Sequence, residues 1–397
     1  MKKLLQFGAG KIGRSFIAQL FSRAGYEVVF VDIDPCLVKS LNEAGAYHVH
    51  VKGPESDSIY TVENISAIEI ASTRSVIQHI TEADIIAISV GKKSLLSLAG
   101  ILARGIKQRY TIDPARPVDI ILAENVRNAA TLLSAQMEKR LKNLPLRSYV
   151  GFVETSIGKM LPLMTREQVE EDPLSIYAEP YNELILDANG FRTKIPEIPE
   201  LKAKVNMKAW VDRKIFIHNL GHAALAYHAN FENPELRYTW EAIRSEKIHQ
   251  FTKATMLQSA AILYDMYPEE FTMVELEDHI NELLFRFGNK SLADTIYRVG
   301  CDIARKLGRE DRLMLPLQQG RKKALDVSLI LESWAKGCYF NAKDDQGMPF
   351  RPDQNFRKKY QQDPLWVLQE HCKFDPLDDH DLFMQLNGIL VNLKSEK

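Results

Sequence analysis

The 397 residues exceed what one hydrophobic core usually supports, so two units are expected. With 51 basic against 52 acidic residues the formal charge is −1, which argues against a built-in field for nucleic acid or other polyanions. Four scattered cysteines (Cys36, Cys301, Cys338, Cys372), no signal-like start and no run of ~18 apolar residues argue against a disulfide scaffold, a secreted chain and a membrane span; a reduced, cytoplasmic protein is expected.

The chain opens with a short apolar strand, Lys2–Phe7, followed by Gly8-Ala9-Gly10-Lys11-Ile12-Gly13. Ile12, Phe16, Ile17, Leu20 and Phe21 then recur at helical spacing. Strand, Gly-x-Gly-x-x-Gly, helix is the dinucleotide-binding arrangement. Gly8 permits the tight turn, Gly10 lets backbone amides approach a pyrophosphate, and Gly13 lets helix and strand pack closely. Residues 27–31 read as a second strand ending at Asp32, about 20 residues beyond the loop. A carboxylate there can accept both ribose hydroxyls and would repel a 2′-phosphate, so the expected cofactor is NAD rather than NADP.

Further along, residues 35–44 read as a helix, and 47–51 and 59–62 as short strands. The apolar runs 83–90 and 117–123 suit buried parallel strands. The first ends at Gly91, where a loop is expected to pass the cofactor. The second ends at Glu124-Asn125, ahead of a helix over 126–141. Ligands gather at the carboxyl ends of parallel strands, which would put Asn125 near the nicotinamide; a helix N-cap is an equally open reading of it. Residues 149–163 and 174–188 look extended, and Ile195-Pro-Glu-Ile-Pro199 forms a junction. Expected domains are therefore 1–198, a Rossmann-type doubly wound α/β sheet, and 199–397, mainly α-helical.

Beyond Leu201 helices are expected over 202–227, 239–266, 274–287, 292–307 and 322–336, with a charged tail after Gly347 that is helical near 365–371 and 380–393. The first of these carries Lys214-Ile-Phe-Ile-His218-Asn219-Leu-Gly-His222. At about 100° per residue, Lys214 lies at 0°, His218 near about 40°, His222 near about 80° and Asn219 near about 140°. Polar groups on one sector of an apolar helix cost a few kcal/mol each if unpaired, so their grouping calls for a role. No Cys/His set has the spacing of a zinc site; His48/His50 and His222/His228 are read as surface or active-site residues, and no metal is expected.

These residues resemble the polyol-specific long-chain dehydrogenase, or mannitol dehydrogenase, family over nearly the whole chain. The resemblance is carried by Phe7-Gly-Ala-Gly10-x-Ile-Gly-Arg14, by Ala123-Glu-Asn125, and by the Lys-x4-Asn-x2-His signature at Lys214, Asn219 and His222. Arg286-Phe287-x-Asn289 and Arg305-Lys306-Leu307-x-x-x-Asp311-Arg312-Leu313 extend it. It implies a metal-independent hydride transfer between NAD and a sugar alcohol, with Lys214 as general base in place of zinc. Asn219 and Asn125 would hold the alkoxide oxygen, and His222 a neighbouring hydroxyl. A chain of this length is similar to the phosphate-using branch, which points to mannitol 1-phosphate and fructose 6-phosphate. A phosphate needs cationic anchors, and Lys159, Arg286, Arg298, Arg305 and Lys306 are the candidates. An unphosphorylated hexitol, an aldonate such as altronate, and a turnover-less nucleotide sensor are the alternatives; a monomer is expected.

Three positions depart from the family pattern. Ile157-Gly158-Lys159 stands where the family reads Val-Asp-Arg, so an acid is missing and Lys159 lacks a bidentate fork. Cys301-Asp302 replaces Arg-Gln, and His218 replaces an apolar residue before the signature Asn.

Overall fold

The computed structural model describes all residues except Glu55, Leu163, Thr165, Gln361, Gln362, Glu396 and Lys397. The expected end of an extended segment at Leu163, and the last two residues of the expected second domain, lie outside the described residues. The chain divides into two compact units, Met1–Trp210 and Val211–Lys397.

In the first unit the strands are β1 (Lys3–Phe7), β2 (Glu27–Asp32), β3 (Tyr47–Lys52), β4 (Asp57–Val62), β5 (Ile65–Glu69), β6 (Ile85–Ile88), β7 (Val118–Leu122), β8 (Val150–Ile157), β9 (Ile176–Ala178), β10 (Leu184–Asp187) and β11 (Leu201–Lys204). Among the described residues, eight form one sheet in the order β11-β10-β8-β7-β6-β1-β2-β5. All neighbours run parallel except β10 against β8. Alternation along β1 explains the double winding. Leu4 faces a core with Phe16, Ile17 and Leu41, from the helices that follow β1 and β2. Leu5 and Phe7 face the opposite core, with Val76, Ile80, Leu102 and Leu133 from later helices. Both faces are covered, which is why the central strands read as mainly apolar runs without polar alternation. β3 and β4 were expected as strands; they pair antiparallel and join β9 in a separate small sheet.

The first unit continues past the expected boundary at 198 because residues 201–204 are strand rather than helix. Leu201 pairs with Leu184, and Lys202 and Lys204 sit on an edge strand, where charged side chains block further pairing. The expected helix starts later, at Met207, where Asn206 accepts the Ala209 amide.

The second unit is helical. Its centre is Leu220–Glu232, whose Ala223, Ala224, Ala226 and Ala229 are fully buried. A helix apolar on every side must be surrounded, and Glu246–Met266, Ser328–Cys338 and Ile296–Gly300 pack on it. Small residues allow close approach: a Cβ at Gly221 would lie 2.6 Å from Met256 Sδ. Several expected helices are broken. The run expected over 292–307 becomes Ile296–Gly300 and Ile303–Lys306, flanked by left-handed Ala293 and Asp302. The run expected over 322–336 becomes Met314–Lys322 and Ser328–Cys338, separated by left-handed Ala324. Ser245 starts a new helix inside 239–266. No helix among the described residues is long and apolar enough to cross a membrane.

Candidate active site

The glycine loop in the first unit is dictated by steric contact. Gly8 has φ +91°, and a Cβ there would stand 2.4 Å from Ser89 O. A Cβ at Gly13 would stand 2.0 Å from Gly8 O, so helix and loop could not close. Gly10 and Lys11 are exposed, Gly10 meets nothing within 4 Å, and Ile12 is half-buried. Backbone amides at the start of this helix are thus open to an anion. From Lys11 the helix passes into a π turn over Gly13–Ala18. Buried Arg14 braces the loop, with Nε donating to Ala9 O at 2.8 Å and Nη1 to Leu174 O at 2.6 Å.

Asp32 accepts the Ala9 amide on Oδ2 at 2.7 Å, and the Ile33 and Asp34 amides on Oδ1 at 2.7 and 3.0 Å. The arrangement fits an adenosine ribose, with less spare capacity than the sequence suggested.

Glu124 went unnoticed in the sequence as a structural anchor. Buried at the end of β7, its Oε1 accepts Val90 N at 2.6 Å and Gly91 N at 2.7 Å. Gly91 (φ +86°) is thereby fixed to the adjacent strand end. Burial raises the Glu124 carboxyl and the two amides pull it back down. A glutamate just beyond a buried, mainly apolar strand was the available signal. Asn125 is exposed and does not cap the following helix, which runs Ala129–Glu138 after left-handed Asn128. Glu154 accepts its first amides, Ala129 N at 3.0 Å and Ala130 N at 2.8 Å.

Lys159 differs from its expected role as a phosphate anchor. It is buried, and its ammonium donates to Glu179 O (3.0 Å), Tyr181 O (2.7 Å) and Asn182 Oδ1 (2.8 Å). Three acceptors match the three donors of an ammonium, so Lys159 serves the fold. Tyr181 also covers Gly158, where a Cβ would lie 3.4 Å from the ring.

In the second unit, Lys214–Asn219 is a π turn rather than α-helix. Leu220 N–H donates to Ile215 O, five residues back. Under i→i+5 bonding a residue lies over the one five before it, so Asn219 returns toward the Lys214 side from the about 140° that α geometry assigns. Leu220–Glu232 resumes the α-helix and carries His222. The His218 and His222 rings are 4.9 Å apart, and His222 stacks on Phe287 at 4.1 Å and 26°. His218 therefore belongs to the same polar sector.

Burial lowers the Lys214 ammonium to about 8, with Arg312 adding to the effect. Burial also holds His222 well below its usual range, reinforced by Arg298, Arg312, Lys306 and Arg286. His218 is lowered likewise by burial and then by His222 and Arg286. Both imidazoles are thus neutral near pH 7.

The remaining expected anchors differ in availability. Arg298 is paired with Asp294, Nε to Oδ1 at 2.6 Å. Arg305 bridges Asp302 and Asp311 and is half-exposed. Buried Arg286 lies 3.3 Å from Glu282. Buried Lys306 donates to Val299 O, and burial followed by Arg312 lowers it to about 8. Arg312 was quoted in the sequence but not chosen as a site residue. Its Nε donates to Asp311 Oδ1 at 2.8 Å, and its charge acts on Lys214, His222 and Lys306 alike. Among the described residues no group of three or more His, Cys, Asp or Glu side chains is placed to hold a metal ion.

Residues 2–200 match the Mannitol dehydrogenase Rossmann domain and residues 206–386 the Mannitol dehydrogenase C-terminal domain. Mannitol-1-phosphate 5-dehydrogenases from Buchnera aphidicola subsp. Acyrthosiphon pisum, strains APS and Tuc7, are each 30% identical over 349 residues, covering 86% of this chain and 88% of theirs. A substrate-free D-sorbitol dehydrogenase superposes with TM-score 0.78 at 15% identity, over 98% of this chain and 91% of that one. Pseudomonas fluorescens mannitol 2-dehydrogenase, solved with NAD and D-mannitol, superposes with TM-score 0.70 at 15% identity, over 99% and 94%. At that identity the two structures speak for the fold.

Proposed function

The chain belongs to the mannitol dehydrogenase family, and on that premise we propose that it is an NAD-dependent oxidoreductase of sugar alcohols, interconverting mannitol 1-phosphate and fructose 6-phosphate. NAD bound at the glycine loop would exchange a hydride with the alcohol carbon. Exposed Gly10 and Lys11 amides would hold its diphosphate, and Asp32 its adenosine ribose.

The observation that carries this reading is the π turn, whose geometry would bring an amide, a depressed ammonium and a neutral imidazole to one sector of one helix. With its ammonium near 8, Lys214 takes the hydroxyl proton in oxidation and returns it in reduction. The Asn219 amide donates to the oxygen as charge develops on it. Neutral His222, held flat against Phe287, orients a neighbouring hydroxyl. Asn125, exposed beyond β7, supplies a further amide in the first unit.

The phosphate assignment rests on the Buchnera relatives and on Arg298, Arg312, Lys306 and Arg286 as electrostatic neighbours of His222. A second reading, the same chemistry on an unphosphorylated hexitol, is favoured by Arg305 already bridging two carboxylates. NADH oxidation with fructose 6-phosphate, fructose and tagaturonate separates the two. All four cysteines are unbridged, which fits the cytoplasm as the place of this activity.

A further inference from the structure

We propose that two C-terminal segments, Arg351–Tyr360 and residues 364–374, form a strap that sets the spacing of Arg298 and Lys306, with Asp353 as its positioning residue. This rests on the reading of those cations as substrate anchors.

The two cations sit on separate single-turn helices, Ile296–Gly300 and Ile303–Lys306. Helices this short do not hold themselves in water, so their relative placement must come from elsewhere. The joint between them is Cys301-Asp302, and Asp302 has φ +68°. A non-glycine residue in the left-handed region is strained and persists only where its surroundings enforce it.

Asp353 supplies that enforcement. It is 2% exposed, and its two oxygens accept one amide each, Asp302 N at 2.8 Å and Ile303 N at 2.9 Å. The carboxylate thus locks the strained residue and begins the second short helix in one contact. Later parts of the strap grip the same segment further on. His371 Nε2 lies 2.6 Å from Ala304 O, and Arg309 Nη1 donates to Cys372 O and Lys373 O, each at 2.9 Å. Cys372 Sγ lies 3.1 Å from Leu307 O. Residues some fifty to seventy positions later in the chain therefore fix both the start and the exit of the helix carrying Lys306. A substrate anion reaching for both cations meets them at a separation that the strap maintains.

The test uses the full-length enzyme with NADH and fructose 6-phosphate. Asp353→Ala should raise the KM for fructose 6-phosphate by about 10-fold or more, since misplacing substrate-holding groups costs on that scale. Affinity for NADH, followed by fluorescence, should stay within about 2-fold because no cofactor residue is touched. Asp302→Gly removes the left-handed strain, so Asp353→Ala should raise KM less in an Asp302→Gly background than in wild type. Asp353→Asn, which keeps one acceptor, serves if the alanine variant fails to fold. Amide hydrogen exchange over 301–304 reads the strap without any substrate and should quicken in either variant. Unchanged exchange and unchanged KM would overturn the proposal, as would parallel losses in KM and NADH affinity. If wild type ignores fructose 6-phosphate, the substrate reading fails by itself. Exchange, together with KM for the carbonyl substrate that wild type reduces best, then decides the strap.

Discussion

The Asp32 carboxylate accepts the Ala9 backbone amide at 2.7 Å, so the acid ending β2 and the glycine loop after β1 form one hydrogen-bonded unit. Its other oxygen holds Ile33 N and Asp34 N. Of the roughly four acceptor positions on a carboxylate, these amides fill all but one, on the oxygen nearest the loop. One ribose hydroxyl can be accepted there in full, where two were expected from the sequence. Asp32→Asn should therefore weaken NAD binding by about 1.5–3 kcal/mol and narrow the preference over NADP. Catalytic efficiency with each cofactor at one substrate concentration measures both; an unaltered NAD/NADP ratio would place Asp32 away from the ribose.

Lys214→Ala should reduce hydride transfer by roughly 100- to 10,000-fold while NADH still quenches protein fluorescence. Oxidation of the alcohol should rise with pH through about 8 as Lys214 loses its proton. Reduction of the ketone should fall over the same range. The linkage to folding has a definite sign. Lys214 and Lys306 both titrate near 8 when folded, below the ordinary lysine value, so the unfolded chain binds more protons above pH 8. Their burial thus penalises folding fully below pH 8, and the penalty lifts as pH rises toward about 10.5. A pH profile without an ionisation near 8 in wild type would remove Lys214 as the base.

Fructose 6-phosphate should be reduced about 100-fold more efficiently than fructose, because the neutral sugar offers no anion to the cations gathered around His222. Lys306→Met should raise KM for the phosphate and leave fructose nearly unaffected. Comparable efficiencies for the two sugars in wild type would move the assignment to an unphosphorylated hexitol.

Lys159→Met should lower stability by about 2–4 kcal/mol, since Glu179 O, Tyr181 O and Asn182 lose their donor together. Substrate KM should hardly move. Urea denaturation beside steady-state kinetics makes the comparison, and a large KM effect without destabilisation would return Lys159 to the substrate.

The parts legible in the sequence are those fixed by neighbouring residues. Gly8 and Gly13 are demanded by contacts that exclude a Cβ, and the helix over 35–44 begins at an Asp-Pro pair, with Asp34 accepting Cys36 N and Leu37 N. What stayed hidden depends on distant partners. Residues 201–204 carry two lysines and pass for helix, until β10 offers Leu184 as a strand partner. Lys159 resembles any other cation until residues 179–182 fold over it. The helix Arg351–Tyr360 is too polar to show an apolar face, and nothing local marks Asp353 as the acceptor for amides fifty residues earlier. The angular reading of Lys214 to His222 assumed 3.6 residues per turn and so misplaced Asn219, because backbone hydrogen bonding across five residues leaves no mark in side-chain periodicity.

A π turn holds one residue more than the α turn it replaces. Between Lys214 and Asn219 the chain therefore carries the equivalent of a single-residue insertion. Deleting one of Ile215, Phe216 or Ile217 would let the segment relax into continuous α-helix with better backbone geometry. With one residue fewer, Asn219 would stand four α positions after Lys214, at about 40°, and His222 seven, at about −20°, so both would stay on the Lys214 side. Such a variant would gain helicity and keep ammonium, amide and imidazole aligned, whereas α geometry imposed on the full-length segment would leave the Asn219 amide about 140° from Lys214. Chain length and helix type across this stretch thus compensate one another, and a one-residue gap here would leave the helices on either side in register between two relatives.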